Sequence, residues 1–181
     1  YLDRIEWTII PDSSTAFAAF RVGKLDYNRL SSTQLGSVQK EMPEVEIFST
    51  NSINPTHFRM NTAREPFNDP RVRRALSLAI DHQAIIHSLV RGNGTLAGPM
   101  YSGSDMAIPQ VELAKLPGFR QPKEADLVEA KRLLAEAGYP DGLTLPECYG
   151  GHGSTQNKLG LILIEQFKEI NVTMEMRILE Y

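Results

Sequence analysis

Between Leu143 and Ile178 the apolar period changes from two residues to 3.6 and back, which constrains the fold more than any other feature of the chain. Leu143 to Tyr149 reads as a strand, with Pro146 marking an edge position or a bend. Ser154 suits a helix cap, and Leu159, Ile162, Leu163, Gln166, Phe167 and Ile170 then follow a helical spacing. Asn171 tolerates the left-handed conformation at a helix end, after which Val172, Met174, Met176 and Ile178 alternate as a second strand. Strand, helix and strand in this order predict a right-handed parallel unit, and hence an α/β fold. Such units collect ligands beyond the carboxyl ends of their strands. The loop Gly150, Gly151, His152, Gly153 and the terminal Tyr181 lie there, so Gly151, His152, Ser154 and Tyr181 are candidate ligand contacts. The glycines leave backbone N–H groups open at a helix N-terminus, a neutral surface with a mild preference for anions.

A second organising stretch runs from Pro66 to Met100. Asp69 is a candidate N-cap, Pro70 suits the first helical turn, and Val72, Ala75, Leu76, Ala79 and Ile80 form one apolar stripe. Asp81 can cap a following helix in which Ile85 with Leu89 and Ile86 with Val90 recur, until Gly92 stops it. Arg71, Arg73 and Arg74 fall mostly off the stripe and read as a solvated basic face. From Gly92 to Pro122 the chain is dense in Gly, Pro and Ser and reads as a loop, with Tyr101 and Met106 as surface contacts. Asp126 and Glu129 suggest a capping box for a helix carrying Leu127, Ala130, Leu134 and Ala137, ended by Gly138.

The first third of the chain repeats the α/β alternation more weakly. Arg4 to Ile10 is rich in strand formers, with Ile5, Trp7 and Ile9 on one face. Ser13 or Ser14 can cap a helix to Val22, and Leu25 to Tyr27 reads as a short strand. Ser31 to Met42 is moderately helical, and Glu44 to Ser49 and His57 to Asn61 alternate as strands.

Composition narrows the function. A net charge of −3 and 41% hydrophobic residues describe a folded chain without the basic footprint of a nucleic-acid binder. The single cysteine, Cys148, excludes an intrachain disulfide and a multi-cysteine zinc site. His57, His82, His87 and His152 lack metal-ligand spacing, so no metal or other cofactor is expected. No GxSxG elbow or GxxxxGK[ST] loop occurs. Gly151, His152 and Gly153 with Glu180 offer a partial dinucleotide fingerprint in which Gln156 takes the third glycine's place, so a fragment of a nucleotide-binding α/β enzyme is one alternative. Cys148 and His152 have neither an identifiable oxyanion hole nor a third orienting group. A protein-interaction module using the loop from Gly92 to Pro122 is the other alternative.

Three segments carry a family resemblance. PFNDPRVRRALSLAID is similar to the signature of extracytoplasmic solute-binding proteins of peptide and nickel ABC importers, the oligopeptide/dipeptide-binding family, with His82 where Arg is usual. AKRLLAEAGYPDG and NVTMEMRILEY resemble it too, with Leu127 in the place of a Pro and Asp126 still expected to cap. The resemblance implies a mixed-sheet lobe of a two-lobed periplasmic-binding-protein-like fold. Residues 1–62 would form part of one discontinuous lobe, ending in a crossover strand that contains Asn61, and residues 63–181 most of the other. Because the chain starts at Tyr1 and ends at Tyr181 beside a strand-like run, it reads as a section of something longer.

The resemblance further implies a non-enzymatic, monomeric solute-binding protein outside the cytoplasm, compatible with a membrane anchor in a preceding segment. It would capture an oligopeptide, dipeptide or related solute between lobes and deliver it to a membrane permease. The family's Gly-x-x-Asp unit, matched by Gly23 and Asp26, precedes a cleft-bordering loop and adds Tyr27 and Asn28 as candidate contacts. Dipeptide-binding members can place an arginine in the loop matching residues 150–157, but this chain has no Arg or Lys there before Lys158.

Overall fold

The computed structural model describes residues 2–49, 57–150 and 154–178. The chain divides into two compact units, Tyr1–Phe48 and Ser49–Tyr181.

In the first unit, α1 (Ser13–Arg21) is capped by Asp12, whose carboxylate accepts the Thr15 N–H at 2.7 Å. The cap therefore precedes both serines that the sequence suggested. Helix α2 (Ser32–Glu41) begins with a complete capping box between Ser31 and Gln34. Arg21 and Glu41 pair at 2.9 Å. The strands expected at Arg4–Ile10, Leu25–Tyr27 and Glu44–Ser49 are not formed among the described residues. Ile5, Trp7 and Ile9 are all more than 70% exposed, in a segment that pairs with no described strand. Strand propensity alone cannot close a ladder, because each strand must exchange hydrogen bonds with a neighbour.

The second unit holds the main core. Helix α3 (Pro70–Ala79) starts where expected, with Asp69 accepting the Arg71 N–H at 2.7 Å, and buries Val72, Ala75, Leu76, Leu78 and Ala79. The basic face is solvated as its spacing suggested, with Arg71 and Arg74 exposed and Arg73 half-buried, but two of its side chains are tied down. Arg71 grips Asp69 and donates to Glu136 O at 2.6 Å, while Arg73 donates to Phe67 O at 2.6 Å. Helix α4 (His82–Val90) is capped by Asp81, whose Oδ1 accepts the Ala84 N–H at 2.9 Å. Gln166 of the last helix brackets this junction, accepting from Asp81 N and donating to Asp81 O.

The segment between Gly92 and Pro122 is irregular except for one turn of helix, α5 (Gln110–Leu113), which buries Leu113. Helix α6 (Glu124–Glu136) packs mainly against α3. It begins two residues before Asp126, so Asp126 is not its cap. The fully buried carboxylate instead accepts the Gly118 N–H at 2.8 Å, Arg120 Nε at 2.8 Å and Lys123 Nζ at 3.0 Å. Burial pushes the Asp126 carboxyl up, but these donors outweigh burial and hold it below the usual carboxylate value.

The strand–helix–strand prediction resolves into two parallel pairs. Strand β1 (Leu143–Thr144) pairs with β3 (Val172–Thr173), and β2 (Cys148–Gly150) pairs with β4 (Met176–Ile178). Helix α7 (Ser154–Lys168) is the crossover. Residues 145–147 separate the first two strands whereas only 174–175 separate their partners, so the Pro146 side carries one extra residue. Pro146 has no N–H to give the ladder, and pairing resumes with Cys148 N donating to Glu175 O. Leu163 and Phe167 of α7, with Ile170 just past its end, join Leu76, Leu134 and Val172 in one apolar cluster. Residues 57–61 form no ladder, yet Phe58 and Met60 pack on this cluster at the expected alternation, with Phe58 edge-on to Phe167 at 5.6 Å.

Candidate functional site

Strand β2 ends at Gly150, opposite Ile178 of β4, and α7 starts at Ser154. Two close approaches bring these ends together. A Cβ on Gly160 would lie 2.2 Å from Met176 Sδ, so the Met176 side chain occupies the space that a larger residue on α7 would need. A Cβ on Gly150 would lie 2.8 Å from Asn157 Oδ1. Asn157 Oδ1 is buried and accepts no hydrogen bond. A buried acceptor left unpaired costs about 1–3 kcal/mol, which is the type of cost that a ligand or a neighbouring donor offsets.

The other face of the β2–β4 pair is polar. Tyr149 and Arg177 are register partners, so their side chains leave the sheet on the same side. Arg177 Nη2 meets Glu147 Oε1 at 2.8 Å, and the Tyr149 hydroxyl donates to Glu147 Oε2 at 2.7 Å. That hydrogen bond to Glu147, then the charge of Glu147 and burial, push the Tyr149 phenol up, while Arg177 and Arg64 oppose them. All three side chains of the cluster remain substantially exposed. A solvated ion pair of this kind is weak and exchangeable, so Glu147 holds Arg177 in place without consuming its capacity to bind another carboxylate.

The sequence candidates fall unevenly on this geometry. Gly151, His152 and Tyr181 lie outside the described residues, as do Gly153 and Glu180 of the partial dinucleotide fingerprint. Ser154 is the first residue of α7 itself. In the first unit, Tyr27 is 68% exposed, and Asn28 is half-buried with its Nδ2 buried and donating to nothing. Arg177 and Tyr149 are further candidates that sequence reasoning did not single out. The signal was present in the alternation of the last strand, because Val172, Met174 and Met176 inward leave Thr173, Glu175 and Arg177 outward. Cys148 is half-buried, and burial pushes its thiol up, away from the thiolate form. Among the described residues no three His, Cys, Asp or Glu side chains gather as a metal site, and no helix is long and apolar enough to cross a membrane.

Parallel strands crossed by a helix, ending beside its N-terminus, give the mixed α/β architecture of one lobe of a two-lobed solute-binding fold. The chain belongs to the bacterial extracellular solute-binding proteins of family 5, whose middle-region model matches residues 1–181. It is 32% identical over 146 residues to heme-binding protein A of Haemophilus influenzae, covering 78% of this chain and 24% of that protein. It is 28% identical over 171 residues to the glutathione-binding protein GsiB of Salmonella typhimurium, covering 94% of this chain and 32% of the relative. Among solved structures, HbpA2 of Haemophilus parasuis superposes with a TM-score of 0.67 at 25% identity, over 96% of this chain and 34% of that one. Haemophilus influenzae OppA, in complex with RPPGFSPFR, superposes with a TM-score of 0.68 at 24% identity, over 93% and 34%. The chain thus spans about a third of the length of most of these relatives.

Proposed function

We propose that the protein is the solute-binding component of an ABC importer, capturing a peptide or peptide-like solute between two lobes and handing it to a membrane permease outside the cytoplasm. The observation that carries this reading is the match of the family-5 model along the whole chain. The name of the glutathione-binding relative supports a peptide-like solute, while the other curated relative is called heme-binding. Capture needs no covalent step, only hydrogen bonds, shape and closure of the lobes. In this reading residues 1–62 contribute to one lobe and residues 63–181 to the other, with the first lobe extending past the compact unit that ends at Phe48.

The contacts we assign are Gly151, His152, Ser154 and Tyr181 at the strand ends, with Tyr27 and Asn28 from the other lobe. The unpaired Nδ2 of Asn28 supports its part, since a ligand carbonyl would satisfy it. We add Arg177, which supplies the cation that residues 150–157 lack, and Tyr149, its register partner on the same face. Native mass spectrometry of the full-length protein, purified without denaturation, tests the solute class. A co-purifying peptide-like solute is expected, and a retained nucleotide would overturn the reading. In isothermal titration, Arg177→Gln is expected to weaken peptides with a free carboxylate about tenfold more than their C-terminal amides, a charge-assisted contact of ordinary strength. Equal weakening of both would remove Arg177 from the site.

A further inference from the structure

Away from the strand ends, the stretch before α6 is tied by several side-chain hydrogen bonds. Gly118 gives its N–H to Asp126 at 2.8 Å and receives Lys123 Nζ on its carbonyl at 3.2 Å. Arg120 also binds Asp126, and Gln121 Nε2 donates to Asp81 Oδ1 at 2.8 Å. Between these ties Phe119 lies flat on the His82 imidazole, with ring centroids 4.7 Å apart and planes 11° from parallel. This stack joins the segment to the start of α4.

Every element around His82 bears on its charge. His82 is the first residue of α4, where the positive end of the helix dipole disfavours a cation. Lys123, at the start of α6, is a cation only about a tenth exposed. Asp81 is the one carboxylate favouring a charged imidazole, and its Oδ1 already receives Ala84 N–H and Gln121 Nε2. Asp126 is saturated by Gly118, Arg120 and Lys123. From α7 the group at this junction is the uncharged Gln166.

We propose that His82 and Phe119 form an acid-sensitive latch, which holds residues 114–121 more firmly on the α3–α4 junction while the imidazole is neutral and loosens them when it is protonated. Burial, and then Lys123, hold the His82 pKa below its ordinary value of 6.5 against the opposing pull of Asp81. The docked form therefore binds fewer protons than the loosened one. Docking is fully present above about pH 6.5 and weakens as pH falls from there through the docked-state pKa, below which it levels off. Asp126 titrates below the usual carboxylate value and stays ionised across this window. A protein of an extracellular family meets the outside pH directly, so the latch would couple that pH to the placement of the segment. The latch stands independently of which solute is bound.

Amide hydrogen exchange on the full-length protein, corrected for the intrinsic effect of pH, reads the latch at residues 116–121. Wild-type protection is expected to fall between pH 7 and 5.5, by at most about tenfold per unit for a single proton. His82→Phe keeps an aromatic partner for Phe119 without the titration and is expected to hold protection constant. Constant protection in the wild type, or the same fall in His82→Phe, would overturn the proposal. The imidazole carbon-bound proton shifts of wild-type His82 give a second reading that needs no variant, and a midpoint at or above 6.5 would overturn it as well.

Discussion

The α3–α6 pair and the β2–β4 pair belong to the same unit but are held in opposite ways. The helices meet through Val72, Ala75, Leu76, Ala130 and Leu134, all essentially without exposure, and the turn into α6 is pinned by a fully buried Asp126. The strands make three register pairs, present exposed Tyr149 and Arg177, and leave Asn157 Oδ1 without a donor. One region has its polar groups satisfied internally, whereas the other retains polar capacity for something else. Substitutions in the first should cost stability, and substitutions in the second should cost recognition.

The sharpest way to break this contrast is Asp126→Ala, which strands Lys123 without its buried partner. We expect a loss of about 3–5 kcal/mol in urea unfolding. Because the Asp126 pKa is lowered in the folded state, its contribution is present above the ordinary carboxylate value near 3.8 and is lost as pH falls through the folded value. Leu76→Ala opens a cavity in the core and should cost about 2–5 kcal/mol by the same measurement. For both variants, solute affinity of the folded fraction should match wild type, and a change in affinity without a change in stability would invert the comparison.

Gly142→Ala probes the approach of β1 to the turn after α7. Its φ is +118°, and an added Cβ would lie 2.4 Å from Asn171 O, so thermal unfolding should report a loss of about 1–3 kcal/mol. At the small end for stability stand His152→Ala and Arg177→Gln, whose unfolding midpoints should stay at wild type while calorimetry reads weaker solute binding. A lowered midpoint with intact binding would assign them to the support instead.

Legibility followed the same line. The helices α3, α4, α6 and α7 could be read from the chain because each carries its own signals: Asp69 with Pro70, Asp81, and an apolar stripe at helical spacing. The parallel crossover from β1 to β4 could be read because the period changes within a single stretch. The exposed segment at Ile5, Trp7 and Ile9 misled for the converse reason, since strand formers announce a preference and the partner decides the outcome. Asp126 misled because a capping pattern and a buried tie to a preceding segment use the same residue type. At the candidate site, the Gly-rich loop drew attention in sequence, while the alternation that turns Arg177 outward could not show that Tyr149 is its partner across the ladder.

By itself, then, the sequence determined the elements whose hydrogen bonds are local, along with the family signature that runs through them. Helix caps, apolar stripes and stop signals act within a few residues of one another, so they are written where they act. Tertiary structure alone decided which donors reach Asp126, that Phe119 covers His82, and that Glu147, Tyr149 and Arg177 share a face. Tyr149 with Glu147 and Lys123 with Asp126 are local contacts completed within the same segment. The stack of Phe119 on His82 and the pairing of Arg177 with Glu147 instead join residues far apart in the chain, which only packing brings within reach.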